Sequence, residues 1–323
     1  MRAWPADPYG CTGCAGPVGA RLGALAGAVL PWRPVVAGPA LWTVAVMSTH
    51  LPTSPADTPS AAVGTPACGV RVGALAGRRW VALDLDGVIW AGSDALPGAV
   101  VAVRRLREAG LHIYFVSNGT GSRAELVHRL GRLGVPCEVE HVSNAGRAAA
   151  RCARQLTGDW APVLVLGGAG LDTECAAARL IVTTDPAQVG AVLVGSSESF
   201  NYAQLVAASS ALRRGVPLVG CNRDTTFPGE GGVPLPGCGA VLAAVEAAAG
   251  RLADVVVGKP APGLLTDLWE PTGTTAADWF VVGDSADADL GLAAAAGVPG
   301  VLLGHPGCGY PDLAGFTAAL LAA

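Results

Sequence analysis

The sequence predicts an α/β protein built on a doubly wound parallel sheet. Three observations carry that class. Four short apolar runs, in "WVALDLDGVIW", "LHIYFVSNGTGSR", "ADVVVGKPAP" and "WFVVGDSADAD", each end in a cluster of small polar residues. Ala- and Leu-rich stretches with helical patterning lie between them. At 323 residues, 51% apolar but only 5% aromatic, the chain can bury a large core made mostly of Ala, Val and Leu. Strands alternating with helices imply parallel pairing, with helices on both faces. In such a sheet ligands bind at the carboxyl ends of the strands, so the four polar clusters are expected at one edge.

In chain order, residues 1–78 are expected to be an extension without chemistry. Gly16 to Met47 is apolar but is interrupted by Arg21, Pro31, Arg33, Pro34 and Pro39. No window there supplies the roughly 20 apolar residues of a membrane-spanning helix. The charged-then-apolar order of a signal peptide is also missing. Residues 48–66 are rich in Ser, Thr and Pro and read as a linker without fixed structure. Met47 is the only methionine besides Met1, and the expectation is that translation starts there. Cys11 and Cys14 have the spacing of half a zinc site, but no second pair follows.

The net charge of −4 supplies no basic face for nucleic acid, and neither nucleic acid nor membrane is expected as a partner. Arg104, Arg105, Arg107, Arg123, Arg129 and Arg132 recur at helical spacing and read as solvated helix faces. Nine cysteines, odd in number and scattered, read as reduced and mostly buried thiols of a cytoplasmic protein.

The strand ends hold the chemistry. Asp84 and Asp86 flank one residue, and Asp284 and Asp289 add carboxylates from another strand end. Carboxylates crowded together repel, and a divalent cation is the usual remedy. An all-oxygen donor set without a Cys/His group points to Mg²⁺ rather than zinc. Lys259 is the single lysine among 21 fixed cationic side chains. Ser117, Asn118 and the backbone around Gly119 can donate hydrogen bonds to an anion. Together these groups suit phosphoryl transfer. Blander readings exist for the parts. "DLDG" lacks the later ligands of a calcium loop, an aspartate of "GDSADAD" can cap a helix, and "GGAG" at 167–170 reads as a plain turn. The five histidines show no ligand spacing.

The ordered set "DLDGV", "VSNG", "VGKP" and "VGDSADAD" resembles the haloacid dehalogenase (HAD) superfamily of phosphatases. More narrowly it is similar to subclass IIA, with its 4-nitrophenyl phosphate, phosphoglycolate, glycerol phosphate and pyridoxal phosphate phosphatases. The resemblance implies a Rossmann-like core over 79–157 and 252–323, with an α/β cap inserted at 158–251. "AVLVGSSESFNYAQL" and "CNRDTTFPGEGGVPLPGCGA" are similar to cap segments. It implies Asp84 as nucleophile and Asp86 as general acid and base. Mg²⁺ would sit on the Asp84 carboxylate, the Asp86 main-chain carbonyl and Asp284, with Asp289 orienting the ion's water. Lys259 would neutralise charge between nucleophile and phosphoryl group. Ser117, Asn118 and Gly119 would hold phosphoryl oxygens, and Asn222 and Asp224 would face the substrate. A homodimer through the cap is a further expectation. The chain departs from the pattern at Gly119, Ser285 and Ala288, none of which removes a metal ligand.

The cap implies a substrate. Ser196, Ser197 and Glu198 stand where relatives often carry a bulky residue, which argues against a flat aromatic substrate. Phe227 and Pro228 match a substrate-facing loop, and Arg223 could reach a second anion or be a plain surface arginine. A small phosphorylated polyol or acid, such as glycerol phosphate or phosphoglycolate, is the expected ligand. A phosphotransferase using the same aspartyl-phosphate, or a non-catalytic phosphometabolite-binding protein, remains open; the pair Asp84 and Asp86 speaks against the latter.

Overall fold

Residues 69–229 and 233–323 are described by the structure, a computed structural model. The expected linker, Met47 and the Cys11/Cys14 pair lie outside them. Two five-stranded sheets, each wholly parallel, organise these residues. In chain order the first contains β1 (Trp80–Asp84), β2 (His112–Ser117) and β3 (Val142–Asn144). The second contains β4 (Pro162–Leu166), β5 (Ile181–Val182), β6 (Ala191–Val194), β7 (Leu218–Gly220) and β8 (Val255–Val256). The chain then returns to the first sheet with β9 (Trp279–Gly283) and β10 (Gly300–Leu302).

The first sheet runs β10–β9–β1–β2–β3, which puts β1 at its centre. Its apolar runs are continuous because both faces are covered. Val81 and Leu83 join one buried cluster with Phe115, Phe280 and Phe316, while Ala82 joins a second with Tyr114, Trp279 and Leu292. Successive residues of a strand point to opposite faces, so a strand covered on both sides needs no polar alternation. The helices α1 (Ala99–Glu108) and α2 (Arg123–Arg132) follow β1 and β2. The sequence "SRAE" starts α2 with a capping box: the Ser122 hydroxyl accepts from the Glu125 amide, and the Glu125 carboxylate accepts from the Ser122 amide.

The second sheet runs β8–β7–β6–β4–β5. Its core is aliphatic, with Val192, Leu193 and Val194 packed among residues of α3 (Ala145–Thr157), α4 (Ala169–Ala177), α5 (Tyr202–Leu212) and α6 (Cys238–Ala249). Two features differ from the expected layout. The run before Lys259 does not enter the first sheet: Val255 and Val256 pair with Val219 and Gly220 of β7. The alanines of α3, expected with the first sheet, pack into the second core. Lys259 therefore reaches the first sheet's edge from the neighbouring sheet.

Cys137, Cys152, Cys175, Cys221 and Cys238 are thiols, the last three buried. No helix among the described residues is long and apolar enough to cross a membrane.

Candidate active site

The parallel register brings the expected groups to one edge. Asp84 ends β1 opposite Val116, so Ser117 at the end of β2 stands one residue further along. Leu83 pairs with Val282, and Asp284 follows two residues later on the adjoining strand. Lys259 Nζ lies 2.7 Å from Asp84 Oδ1 and 2.7 Å from Asp289 Oδ1, with its side chain only 4% exposed. One carboxylate oxygen from each of Asp84, Asp284 and Asp289 lies within 4.8 Å of the others. The lone lysine thus bridges two buried carboxylates, and a third stands beside them.

The electrostatics follow from that crowding. Burial pushes the Asp84 carboxyl up to about 8, against the pull of Lys259 and with a further push from Asp289. Burial, then the Asp289 charge, raises Asp284 as well. Burial disfavours the Lys259 ammonium, but Asp84 and Asp289 outweigh it and hold the amine above the ordinary lysine range. One amine is too little positive charge for this set of carboxylates.

Backbone amides place the two buried carboxylates. Asp84 Oδ1 also accepts from the Leu85 amide at 2.8 Å, while Oδ2 has no hydrogen bond among the described residues. Asp289 is fully buried, with Oδ1 on Lys259 and Oδ2 accepting from the Ser285 amide at 3.0 Å. Asp284 is partly exposed. Gly87 has φ +75°, and a Cβ there would meet Asp284 Oδ2 at 1.8 Å, so only glycine lets the loop after β1 pass this carboxylate. Asp86 is exposed, and its Oδ1 accepts from the Trp90 indole at 2.8 Å.

The groups expected to bind an anion differ in detail from expectation. Ser117 is buried, and its Oγ accepts from the Gly119 amide at 2.9 Å, so that amide is already engaged. The Asn118 side chain is committed elsewhere. Its Oδ1 accepts from the Lys259 amide at 2.7 Å, and its Nδ2 donates to Asp224 Oδ2 at 3.0 Å. Asn222, also buried, donates to the Asn118 carbonyl at 2.6 Å and accepts from the Asp224 amide at 2.9 Å. Asn118, Asn222 and Asp224 therefore form a clasp between the β2 loop, the Lys259 backbone and the loop after β7. Their side chains position Lys259 where the sequence suggested contact with phosphate or substrate.

Arg223 grips Glu246 with two nitrogens, at 2.8 and 3.2 Å, and its side chain is half exposed. His305 supports the site unannounced by any ligand spacing: its Nε2 lies 2.9 Å from the Asp284 carbonyl. It comes from the segment after β10, 21 residues away, so no local pattern could have marked it.

Comparison with known proteins agrees with this geometry. Residues 81–180 match the sequence family described as haloacid dehalogenase-like hydrolase, and residues 256–307 match a second, HAD-hydrolase-like family. Chronophin of Mus musculus is 39% identical over 226 residues, covering 67% of this chain and 77% of the relative. The structure of p-nitrophenyl phosphatase from Archaeoglobus fulgidus aligns with a TM-score of 0.69 at 31% identity, over 75% of this chain and 99% of that one. Glycerol phosphate phosphatase from Mycobacterium tuberculosis, solved in complex with magnesium, aligns with a TM-score of 0.65 at 32% identity, over 70% and 67%. With the carboxylates, the lysine and the sheet edge placed as described, the chain belongs to the haloacid dehalogenase-like hydrolases, in their subclass IIA of phosphatases.

Proposed function

We propose that this phosphatase hydrolyses small phosphomonoesters by transferring the phosphoryl group to Asp84, with Mg²⁺ as its cation. The observation that carries the reading is the lone buried lysine set 2.7 Å from both Asp84 and Asp289 beside Asp284. Such an arrangement is poor as a structural ion pair, because it leaves buried negative charge uncompensated. It suits a site that is completed by a cation and an anionic substrate.

The residues fit a divalent ion. All donors are oxygens, and the crowding raises both Asp84 and Asp284. Asp84, Asp284 and the Asp86 main-chain carbonyl would hold it. When bound, the ion offsets the carboxylate repulsion and draws charge from the phosphoryl oxygens.

The chain's own groups carry the steps. Asp84 Oδ2, which has no hydrogen bond among the described residues, attacks phosphorus as the bond to the ester oxygen breaks. Asp86 gives that oxygen a proton; its Oδ1 is held by Trp90, which leaves Oδ2 to carry it. The same carboxylate then takes a proton from water as the water attacks phosphorus, releasing phosphate and restoring Asp84. Asp86 is exposed, so it exchanges protons with solvent. Lys259 neutralises charge throughout, and the Asn118–Asn222–Asp224 clasp fixes its backbone.

Substrate choice follows from the loop after β6. The Ser196 amide donates to Thr120 Oγ1 at 3.2 Å, so Ser196, Ser197 and Glu198 border the loop that carries Ser117. That wall is small and polar, which favours a phosphorylated polyol or acid over a flat aromatic substrate. The glycerol phosphate phosphatase among the structural relatives agrees with this class.

A phosphate-release screen over metabolites, run with Mg²⁺ and with EDTA, tests the reading. Turnover of glycerol phosphate or phosphoglycolate that vanishes with EDTA is expected; equal rates in both buffers would refute the cation's part. Transfer to added alcohols in place of release would identify a phosphotransferase. A second expectation concerns Gly87. Gly87→Ala forces Asp284 aside and should raise the Mg²⁺ concentration for half-maximal activity by about 10- to 100-fold, as displaced ligand supports generally do. An unchanged Mg²⁺ dependence would remove Asp284 from the ion's ligands.

A further inference from the structure

A second concentration of charge, lined by none of the catalytic carboxylates, lies where α2, α3 and α4 meet. A cleft of about 360 Å³ is lined there by Arg123, Arg147, Arg151, Arg154, Arg179 and Glu174. The sequence pattern suggested a solvated face for Arg123, but its side chain is only 17% exposed. Three of the arginines, at 147, 151 and 154, share one face of α3.

The acids nearby do not balance them. Arg123 pairs with Glu174 at 3.2 Å, and Arg151 with Asp267 at 3.5 Å. Asp159 serves both Arg154, at 3.1 Å, and Arg179, at 3.2 Å. Glu174 is further committed to the Arg123 amide at 2.7 Å. Counted with their ion-pair partners alone, the five guanidiniums meet three carboxylates, two charges in excess. The Arg147 side chain has no hydrogen bond or ion pair among the described residues. Burial, with Arg123 and Arg151 beside it, pushes its guanidinium below the ordinary arginine range.

A concave site of this volume admits a small molecule. Guanidinium forks match tetrahedral oxyanions bidentately, and an uncompensated pair of charges favours a doubly charged ligand. We propose that this cleft is a second binding site, for a small molecule bearing phosphate groups, separate from the catalytic carboxylates. Its ligand would join Arg123, which opens α2 shortly after the Ser117 loop, to α3, which packs in the second core. Occupancy would thus tie the catalytic edge to the neighbouring sheet.

The test exploits the opposite sign of the two sites. Without a metal, Asp84, Asp86, Asp284 and Asp289 outnumber Lys259 and repel anions, whereas the arginine cleft needs no cation. Calorimetric titration of the full chain with methylenediphosphonate in EDTA should show one bound ligand. Arg147→Gln should weaken it at least about tenfold, the scale of one charge-assisted hydrogen bond. Arg104→Gln, on the exposed face of α1, should leave it unchanged. Arg147→Gln relieves repulsion, so its melting temperature without ligand should not fall. If it does fall, Arg154→Gln takes its place with the same expected direction. The absence of binding, or equal affinity in the wild type and the cleft variants, overturns the proposal. Either outcome is independent of the catalytic reading, which rests on turnover with Mg²⁺.

Discussion

Asp84→Asn is expected to lower phosphate release by on the order of 10⁴-fold or more, as loss of an attacking group does in covalent catalysis. An amide of nearly the same shape fills the space but cannot attack phosphorus. The loss should come without unfolding. Burial lifts the Asp84 carboxyl from 3.8 to about 8, so the folded state binds this proton more tightly than the unfolded chain does. Ionised Asp84 then costs stability once the pH exceeds the unfolded value, and the cost grows until the pH passes about 8. Asparagine carries no such cost. In metal-free buffer at pH 8 the variant should melt at or above the parent temperature, and it should lack the upward shift with Mg²⁺ that is expected of the parent. Thermal scans with and without Mg²⁺ check both. A variant that keeps wild-type turnover would show that another group attacks.

Lys259→Arg is the second large effect, expected to cut turnover by about 10²- to 10³-fold while preserving the fold. The ammonium stands 2.7 Å from Asp84 and Asp289 at once, as a compact charge with three donors. A guanidinium is a planar fork that cannot meet both oxygens at that distance without turning a carboxylate. The chain uses arginine at its other 20 fixed cationic positions, which fits a local demand for an ammonium at this one. Lys259→Ala should behave differently, because it strands two buried carboxylates and costs about 3–5 kcal/mol of stability. Steady-state kinetics beside urea unfolding separates the two variants. Full activity in Lys259→Arg would show that charge alone is needed.

Much of this site was legible because its signals are local. An apolar run ending in "DLDG" marks both a buried strand and the carboxylates at its tip, and the same holds for "WFVVGDSADAD". What the sequence left open depends on distant pairing. Val255 and Val256 look like a strand of the first sheet, yet their partners are Val219 and Gly220. Nothing near them records that choice. Asn118 was expected to hold a phosphoryl oxygen because "VSNG" resembles the family's second motif. Its partners Lys259 and Asp224 lie 141 and 106 residues away. Arg223 likewise finds a partner in Glu246, one helix later, that no local pattern marks. Residue type announces the chemistry a side chain can do, while only the fold reveals which of its hydrogen bonds are already spent.

The most direct test is to find the phosphoryl group on the enzyme. p-Nitrophenolate leaves without a proton donor, so Asp86→Ala should still be phosphorylated by p-nitrophenyl phosphate and then stall before hydrolysis. Acid-quenched Asp86→Ala, digested and sequenced by mass spectrometry, should carry close to one phosphate per chain, on Asp84. Phosphate on another side chain, or unmodified Asp84 in a variant that still releases p-nitrophenolate, would contradict the account.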